Sequence, residues 1–209
     1  MWIEGKSYRG KGKAIKVVNP ATETVVDTVS DATQADVDKA VQAARRGYER
    51  WKEVGSAQKA ELMHDIAHKL RAKANELARI LTLEGGKPLR ENVDEIGWVA
   101  SCFDYYAEIG RNSRGRVIPS IEPSQLALVL KEPYGVVACI VPWNYPLLLM
   151  AWKVAPAIAA GNSVIIKPAE QTPLATLACA GIFGVLPEGV VNIVTGLGET
   201  AGDALVRHP

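Results

Sequence analysis

The sequence predicts an α/β fold in which half of a doubly wound parallel sheet follows an N-terminal β-hairpin and a group of helices. Three observations support this prediction. β-Branched segments occupy the first 30 residues, apolar residues recur at helical spacing across 33–112, and buried strands alternate with helices from residue 135 onward. The 209 residues are 48% hydrophobic and 22% charged, with a net charge of +1, as is typical of a soluble globular protein. This balanced charge indicates neither nucleic acid nor an acidic membrane as a partner.

The N-terminal hairpin is predicted from residues 14–18 and 24–29, which are rich in β-branched side chains. Between them, Asn19-Pro20-Ala21-Thr22 is a turn signal. A first helix is then expected to begin at Thr33. Thr33 followed by Asp36 is a variant of the capping box, and apolar residues at helical spacing come directly after it.

Two further helices are predicted before residue 112. The second begins near Ser56 and ends at the stop signal Gly85-Gly86-Lys87-Pro88. Its apolar stripe consists of Leu62, Ile66, Leu70, Leu77 and Leu81. The third helix spans residues 89–109, and residues 111–123 are expected to form a polar connector. Residues 125–130 alternate loosely, which indicates a strand.

The last part of the chain has the pattern β-α-β-α-β-α. The predicted strands are 135–141, 163–166 and 190–194, and the predicted helices are 146–160, 173–185 and 200–207. Short connections between such elements favour a parallel sheet with right-handed crossovers. Three parallel strands are half of a Rossmann-like dinucleotide-binding sheet, and the last helix should lead to another strand. We therefore expect the sheet to continue beyond residue 209.

Ligands of open α/β sheets bind outside the carboxyl ends of the strands, and Asn144 follows the first of these strands. Its side-chain amide is a neutral donor suited to stabilising an oxyanion. The alternative is that its side-chain oxygen caps the helix that begins near Pro146. Position alone leaves both interpretations open.

Two more segments follow the second and third strands. Lys167 and Glu170 are suited to binding ribose hydroxyls, and a carboxylate there would repel a 2′-phosphate and favour NAD over NADP. The alternative is a surface ion pair. Gly198 lies in a glycine-rich segment that resembles a dinucleotide turn but has one residue too many before its last glycine. A plain tight turn between strand and helix is the alternative there.

The thiols and imidazoles give no catalytic or metal-binding signature. Cys102, Cys139 and Cys179 show no paired spacing, which predicts reduced, structurally buried thiols in a cytoplasmic protein. His64 and His68 are four residues apart on the second helix but have no third ligand in view, so no metal site is expected. The sequence predicts neither a secretory signal nor a segment long enough to span a bilayer.

Several motifs together resemble the aldehyde dehydrogenase superfamily, and their order and spacing agree over essentially the whole chain. They are Asn19-Pro20-Ala21-Thr22, Gly86-Lys87-Pro88, Pro142-Trp143-Asn144-Tyr145-Pro146, Trp152-Lys153-Val154-Ala155-Pro156-Ala157, Ala160-Gly161-Asn162, Lys167-Pro168-Ala169-Glu170-Gln171-Thr172-Pro173 and Gly189-Val190-Val191-Asn192. Tyr145, where many relatives have Phe, is similar to the betaine-aldehyde and aminoaldehyde branch. The stretch 177–187 is shorter than the helix and loop usual in the family, so the third strand could be displaced.

The resemblance implies a role for each site residue. Asn144 is similar to the oxyanion-hole amide that stabilises the thiohemiacetal. Tyr145 and Trp152 match aromatic positions of the substrate tunnel, where aromatic faces can hold an ammonium group. The residues that resemble the cofactor site are Ile140, Val141, Pro142, Trp143, Lys167, Glu170 and Gly198.

The resemblance also implies a division of the chain and an activity. Residues 1–123 would be the hairpin and helical part of the cofactor domain, 124–134 the start of an oligomerisation hairpin, and 135–209 part of the NAD-binding domain. The complete enzyme would be a homo-oligomer that oxidises an aldehyde with NAD, with NADP as the alternative cofactor. The catalytic Cys, the general-base Glu and the pyrophosphate-binding segment would lie beyond residue 209, so this chain alone would be inactive.

Two other interpretations stay open. The first is a truncated, non-catalytic product that associates with full-length relatives through its helical and hairpin surfaces, because an exposed sheet edge favours pairing. The second is a related acyl-phosphate reductase or semialdehyde dehydrogenase of similar architecture. The motifs that begin at Pro142 and Lys167 favour the aldehyde dehydrogenase interpretation over this second one.

Overall fold

The computed structural model describes residues 1–209 and contains nine strands and eight α-helices. The strands are β1 (Trp2–Ile3), β2 (Lys6–Ser7), β3 (Ala14–Val18), β4 (Val25–Ser30), β5 (Arg116–Ile118), β6 (Ala127–Val129), β7 (Val136–Ile140), β8 (Ser163–Lys167) and β9 (Val191–Ile193). The helices are α1 (Gln34–Lys52), α2 (Ser56–Ala72), α3 (Ala74–Gly85), α4 (Leu89–Arg111), α5 (Pro146–Ala159), α6 (Leu174–Ala178), α7 (Ala180–Phe183) and α8 (Asp203–Val206). None of them combines the length and hydrophobicity needed to cross a membrane.

A five-stranded sheet with the order β2-β1-β9-β8-β7 forms the centre of the fold. β7, β8 and β9 are parallel neighbours, and helices connect them, so the predicted α/β fold class is confirmed. β1 pairs antiparallel with β9, and β2 pairs antiparallel with β1. The sequence does not predict β1 and β2, because strands of two residues are too short to show an alternating pattern.

Helices cover both faces of the sheet, as a doubly wound arrangement requires. On one face, Ile165 packs with apolar residues of α1 and with Ala201 and Leu205 near the C-terminus. On the other face, Val164 and Ile166 belong to a larger core of 32 buried residues, most of which come from α2 to α7. Alternate side chains of β8 therefore enter different cores, which explains why the strand is a continuous apolar run.

The start of α1 is fixed by the predicted capping box. Thr33 Oγ1 accepts from the Asp36 amide, and the Asp36 carboxylate accepts from the Thr33 amide at 2.9 Å. Asp36 also accepts hydrogen bonds from the Tyr8 hydroxyl and the Lys11 amide. These bonds satisfy a fully buried carboxylate and connect the N-terminal segment to α1.

Two predicted helices are each divided in two. The second ends at Ala72 and restarts at Ala74, because Lys73 leaves helical geometry at φ −101° and ψ 13°. Leu70 and Leu77 remain in the same core on either side of this break, so the apolar stripe continues and conceals it. The predicted helix 173–185 is likewise interrupted at Cys179. The shortened segment does not displace β9, which keeps a regular parallel register with β8.

The prediction that residues 111–123 form only a polar connector is wrong. Arg116–Ile118 is a strand that pairs antiparallel with Ala127–Val129, the strand expected within 125–130. The resulting hairpin begins well before residue 124 and exposes apolar side chains. Three-residue strands without buried side chains lack the pattern that identifies a strand in sequence.

Candidate functional site

The carboxyl ends of the three parallel strands meet at one edge of the sheet. Ile140 at the end of β7 is in register with Lys167 at the end of β8, and the Val141 amide donates to the Lys167 carbonyl at 3.0 Å. Ile166 is in register with Ile193 of β9. The segments that begin at Pro142, Pro168 and Val194 therefore leave the same edge, which is where open α/β sheets bind their ligands.

Asn144 lies in the loop between β7 and α5, with an exposed side chain. The N-cap residue of α5 is Tyr145, and its own side chain makes no capping hydrogen bond. The alternative in which Asn144 caps this helix is therefore wrong. Pro146 occupies the first turn, as expected, since its missing N–H leaves no donor unsatisfied. The Asn144 amide thus stays available as a donor.

A buried glutamate of α4 replaces the missing cap. The Glu95 Oε1 atom accepts hydrogen bonds from the Leu147 amide at 3.1 Å and the Leu148 amide at 3.0 Å. Its other oxygen forms an ion pair with Lys87. The Lys87 ammonium also lies 3.9 Å from the centre of the Tyr145 ring. Sequence reasoning missed Glu95, although a charged residue among the core positions of α4 was a usable signal.

Lys167 is buried, with 2% of its surface exposed. Its ammonium donates to the Pro168 carbonyl at 3.1 Å and lies 3.4 Å from the Glu170 carboxylate. Burial of the lysine argues against a plain surface ion pair. The carboxylate of Glu170 remains partly exposed beside the ammonium, so the two groups together present a donor and an acceptor at the sheet edge.

A second buried carboxylate, Glu84 at the end of α3, caps α6. It accepts from the Leu174 amide at 2.6 Å and from the Ala175 amide at 2.9 Å. Burial raises the pKa of Glu84 to about 7, although both backbone hydrogen bonds act to lower it. Sequence reasoning missed this residue as well. Glu84 fixes the helix that follows the Lys167–Glu170 segment.

The glycine-rich turn after β9 contains two glycines with different surroundings. A Cβ on Gly196, at φ +154°, would lie 2.5 Å from both the Ala201 methyl group and the Asp31 carboxylate. A Cβ on Gly198 would meet nothing within 4 Å. Asp31 accepts from the Leu197 amide at 3.1 Å and the Thr200 hydroxyl at 2.5 Å. Gly196 is therefore required for close packing, whereas Gly198 borders open space.

An aromatic surface, formed by Trp98, Tyr105, Tyr106 and Trp152, lies between α4 and α5. Trp98 is 52% exposed and Trp152 57% exposed, which is high for tryptophan side chains. The predicted substrate-lining residue Trp152 belongs to this surface, but Tyr145 does not line it. Sequence reasoning missed Trp98 and Tyr105, although aromatic residues on the polar face of an amphipathic helix were a signal.

The three cysteines are protected rather than activated. Burial raises the pKa of Cys102 to about 11 and the pKa values of Cys139 and Cys179 to about 12. All three are free thiols. Because the thiolate is the nucleophilic form, none of them is activated at neutral pH. His64 is hydrogen-bonded to Asp104 and Glu108 of α4, so its side chain connects two helices.

The residues at the sheet edge fit a dinucleotide. The buried ammonium of Lys167 and the partly exposed carboxylate of Glu170 can bind the two hydroxyls of a ribose. Trp143 is 59% exposed and lines one cleft with Glu170 and another with Asn144, and Gly198 leaves room for a close approach. A flat aromatic group, a paired donor and acceptor and an open glycine turn therefore line one edge.

A sequence model of the aldehyde dehydrogenase family matches residues 5–209. The chain is 44% identical over 211 residues to betaine aldehyde dehydrogenase 1 of Oryza sativa subsp. japonica, covering 95% of this chain and 41% of that protein. It is 40% identical to the NADP/NAD-dependent aldehyde dehydrogenase PuuC of Escherichia coli, covering 100% of this chain and 43% of PuuC. The chain thus spans about two fifths of the length of these relatives.

Solved structures agree with the sequence comparison. The NAD⁺ complex of an aldehyde dehydrogenase from Bacillus cereus superimposes with a TM-score of 0.96 at 39% identity, covering 100% of this chain and 43% of that one. A betaine aldehyde dehydrogenase variant from Staphylococcus aureus, also in complex with NAD⁺, gives a TM-score of 0.95 at 34% identity and covers 99% and 43%. This chain belongs to the aldehyde dehydrogenase family.

Proposed function

We propose that this chain is the N-terminal portion of an NAD(P)-dependent aldehyde dehydrogenase that oxidises an aldehyde to a carboxylic acid. The observation that carries the proposal is the exposed side-chain amide of Asn144, which does not cap α5. This amide lies at the same sheet edge as Lys167 and Glu170. An oxyanion donor and a nucleotide-binding pair at one edge are what aldehyde oxidation by a dinucleotide requires.

Lys167 and Glu170 would hold the adenosine ribose, and the segment from Ile140 to Trp143 would form the wall beside the nicotinamide. Gly198 would allow close approach near the adenosine. The partly exposed Glu170 carboxylate would oppose a 2′-phosphate, so we expect NAD to bind more tightly than NADP. The bound cofactor supplies the hydride acceptor.

Asn144 would donate its side-chain N–H to the oxygen that becomes negative when a thiolate adds to the aldehyde. Such a donor acts most strongly when it is held in place before the reaction. The thiolate must come from outside residues 1–209, because burial raises the pKa of all three cysteines here far above neutrality. We therefore expect no dehydrogenase activity from this chain alone.

The aromatic surface indicates the substrate class. Trp98, Tyr105 and Trp152 present exposed rings that suit an apolar or cationic aldehyde. One relative is named a betaine aldehyde dehydrogenase, and an ammonium-bearing aldehyde is our proposed class. The Lys87 ammonium lies on the ring of Tyr145 and would repel a second cation there. Trp98 and Trp152 would therefore bind the ammonium group of the substrate better.

Cofactor binding by the 209-residue chain is the first test. We expect NAD to bind measurably in calorimetry, and Lys167→Ala to weaken binding at least tenfold. Lys69→Ala is the matched control, since Lys69 pairs with Asp65 on the surface of α2. The complete protein should then reduce NAD with an ammonium-bearing aldehyde. Failure of the complete protein to oxidise any aldehyde with NAD or NADP would contradict the proposal.

The exposed hairpin favours a second candidate function, which is association. Ile121 is 97% exposed and Leu126 is 75% exposed, and such side chains are usually covered by a partner. We propose that the complete cytoplasmic enzyme is a homo-oligomer built through this hairpin, or that the chain alone associates with full-length relatives. Size-exclusion chromatography of the chain, with and without a complete relative, distinguishes these cases. Leu126→Asp should abolish either association. If this variant elutes at the same volume as the parent, the role of the hairpin in association is refuted.

A further inference from the structure

The ion pair between Lys87 and Glu95 contacts residues that closely follow Asn144. Glu95 is completely buried, and its Oε1 atom accepts from the amides of Leu147 and Leu148, three and four residues after Asn144. Lys87 lies over the ring of Tyr145, the residue immediately after Asn144. Lys87 and Asn144 also line the same small cleft.

We propose that Lys87 and Glu95 are positioning residues that fix the Asn144 amide in its oxyanion-binding orientation. The inference rests on the proposed dehydrogenase function. Neither residue touches the reacting atoms, because each acts on the backbone or ring next to Asn144. The pair would supply the preorganisation on which an oxyanion donor depends.

The short connection between the fixed amides and Asn144 supports this role. Only Tyr145 and Pro146 separate Asn144 from Leu147, and the proline ring fixes one of the few backbone torsions in between. A shift of the α5 N-terminus would therefore be transmitted directly to Asn144. A misplacement of about 1 Å can reduce a rate by roughly a hundredfold.

The charges support the same conclusion. Glu95 is the only side chain that caps α5, and its carboxylate is favoured at the positive end of the helix. A buried carboxylate is costly without a partner, and Lys87 is the cation that meets it. Gly86 determines where the chain leaves α3. Its left-handed backbone, at φ +75°, ends the helix at Gly85, so Lys87 lies directly after the helix cap.

The test compares variants of the complete enzyme. We expect Glu95→Gln, which keeps an acceptor oxygen but loses the ion pair, to lower kcat about tenfold. Lys87→Met should lower kcat by a similar factor, and Lys87→Arg should restore most of it, because Arg can pair with Glu95. KM for NAD should change less than about twofold in each variant, because the ribose-binding pair lies at the end of β8 and contacts neither Lys87 nor Glu95. Glu91→Gln is the matched control, since Glu91 is exposed on the same helix.

A structural measurement separates positioning from general destabilisation. Hydrogen exchange of the Leu147 and Leu148 amides should become faster in Glu95→Gln, while the amides of β8 stay protected. If the parent enzyme oxidises aldehydes but Lys87→Met and Glu95→Gln retain its kcat, the positioning role is refuted and the proposed function stands. If the parent enzyme oxidises no aldehyde, both fail. Loss of kcat in Lys87→Met without rescue by Lys87→Arg also refutes the pairing.

Discussion

Glu84 provides a prediction whose magnitude can be worked out from the structure. Glu84 is 3% exposed, its carboxyl caps α6, and burial raises its pKa from the ordinary 4.5 to about 7. A raised pKa in the folded state means that the native protein binds the proton more tightly than the unfolded chain. The stabilising contribution is therefore complete below about pH 4.5 and is lost as the pH rises through about 7.

The size of this contribution follows from the two pKa values. At about 1.4 kcal/mol for each pH unit, the difference between 4.5 and about 7 corresponds to roughly 3 kcal/mol. Glu84→Gln removes the titration but keeps an oxygen that can accept from the Leu174 amide. Relative to this variant, the parent chain should therefore lose about 3 kcal/mol of unfolding free energy between pH 4.5 and pH 8.

Urea denaturation of the parent and the variant at several pH values measures this difference directly. The unfolding free energy of the parent, taken relative to that of Glu84→Gln, should be highest at acidic pH. This difference should fall by about 3 kcal/mol as the pH rises past neutrality. If the difference between the two free energies stays constant across this range, Glu84 does not titrate as its burial implies, and the reasoning is wrong.

Three further predictions concern packing, charge and cofactor binding. Gly47→Ala should destabilise the chain by about 1–3 kcal/mol in urea denaturation, because the new Cβ would lie 2.1 Å from the Gly189 carbonyl carbon. The carboxylates of Glu108 and, second, Asp104 accept hydrogen bonds from the His64 imidazole and raise its pKa. The stability that His64 adds relative to His64→Gln should therefore be present at pH 5 and lost as the pH rises through the raised pKa. Glu170→Gln should narrow the preference for NAD over NADP in calorimetry, since it removes the charge that opposes a 2′-phosphate.

The order of strands and helices was predictable because periodicity changes clearly along the chain. The apolar runs of β7 and β8 and the capping box at Thr33 each gave a local signal, and the structure has these elements close to the predicted bounds. The break at Lys73 was not predictable, since the apolar stripe is continuous across it. Strands of two or three residues, such as Trp2–Ile3, carry too little pattern to be recognised.

The candidate site was predictable only for the residues that directly follow predicted strands. Asn144, Lys167 and Glu170 follow predicted strands, so their shared edge follows from the topology. Glu84 and Glu95 act through amides 90 and 52 residues away, and no local pattern reveals such a partner. The choice between a capping and a donating Asn144 also depended on the backbone geometry, which places Tyr145 and not Asn144 at the N-cap position of α5.

The most direct test of the account is the turnover of Asn144→Ala in the complete enzyme. Loss of an oxyanion donor should lower kcat by about a hundredfold to a thousandfold, with the dissociation constant for NAD unchanged within about twofold. An Asn144→Ala enzyme that keeps the parent kcat would contradict the central claim that this amide stabilises the reacting oxygen.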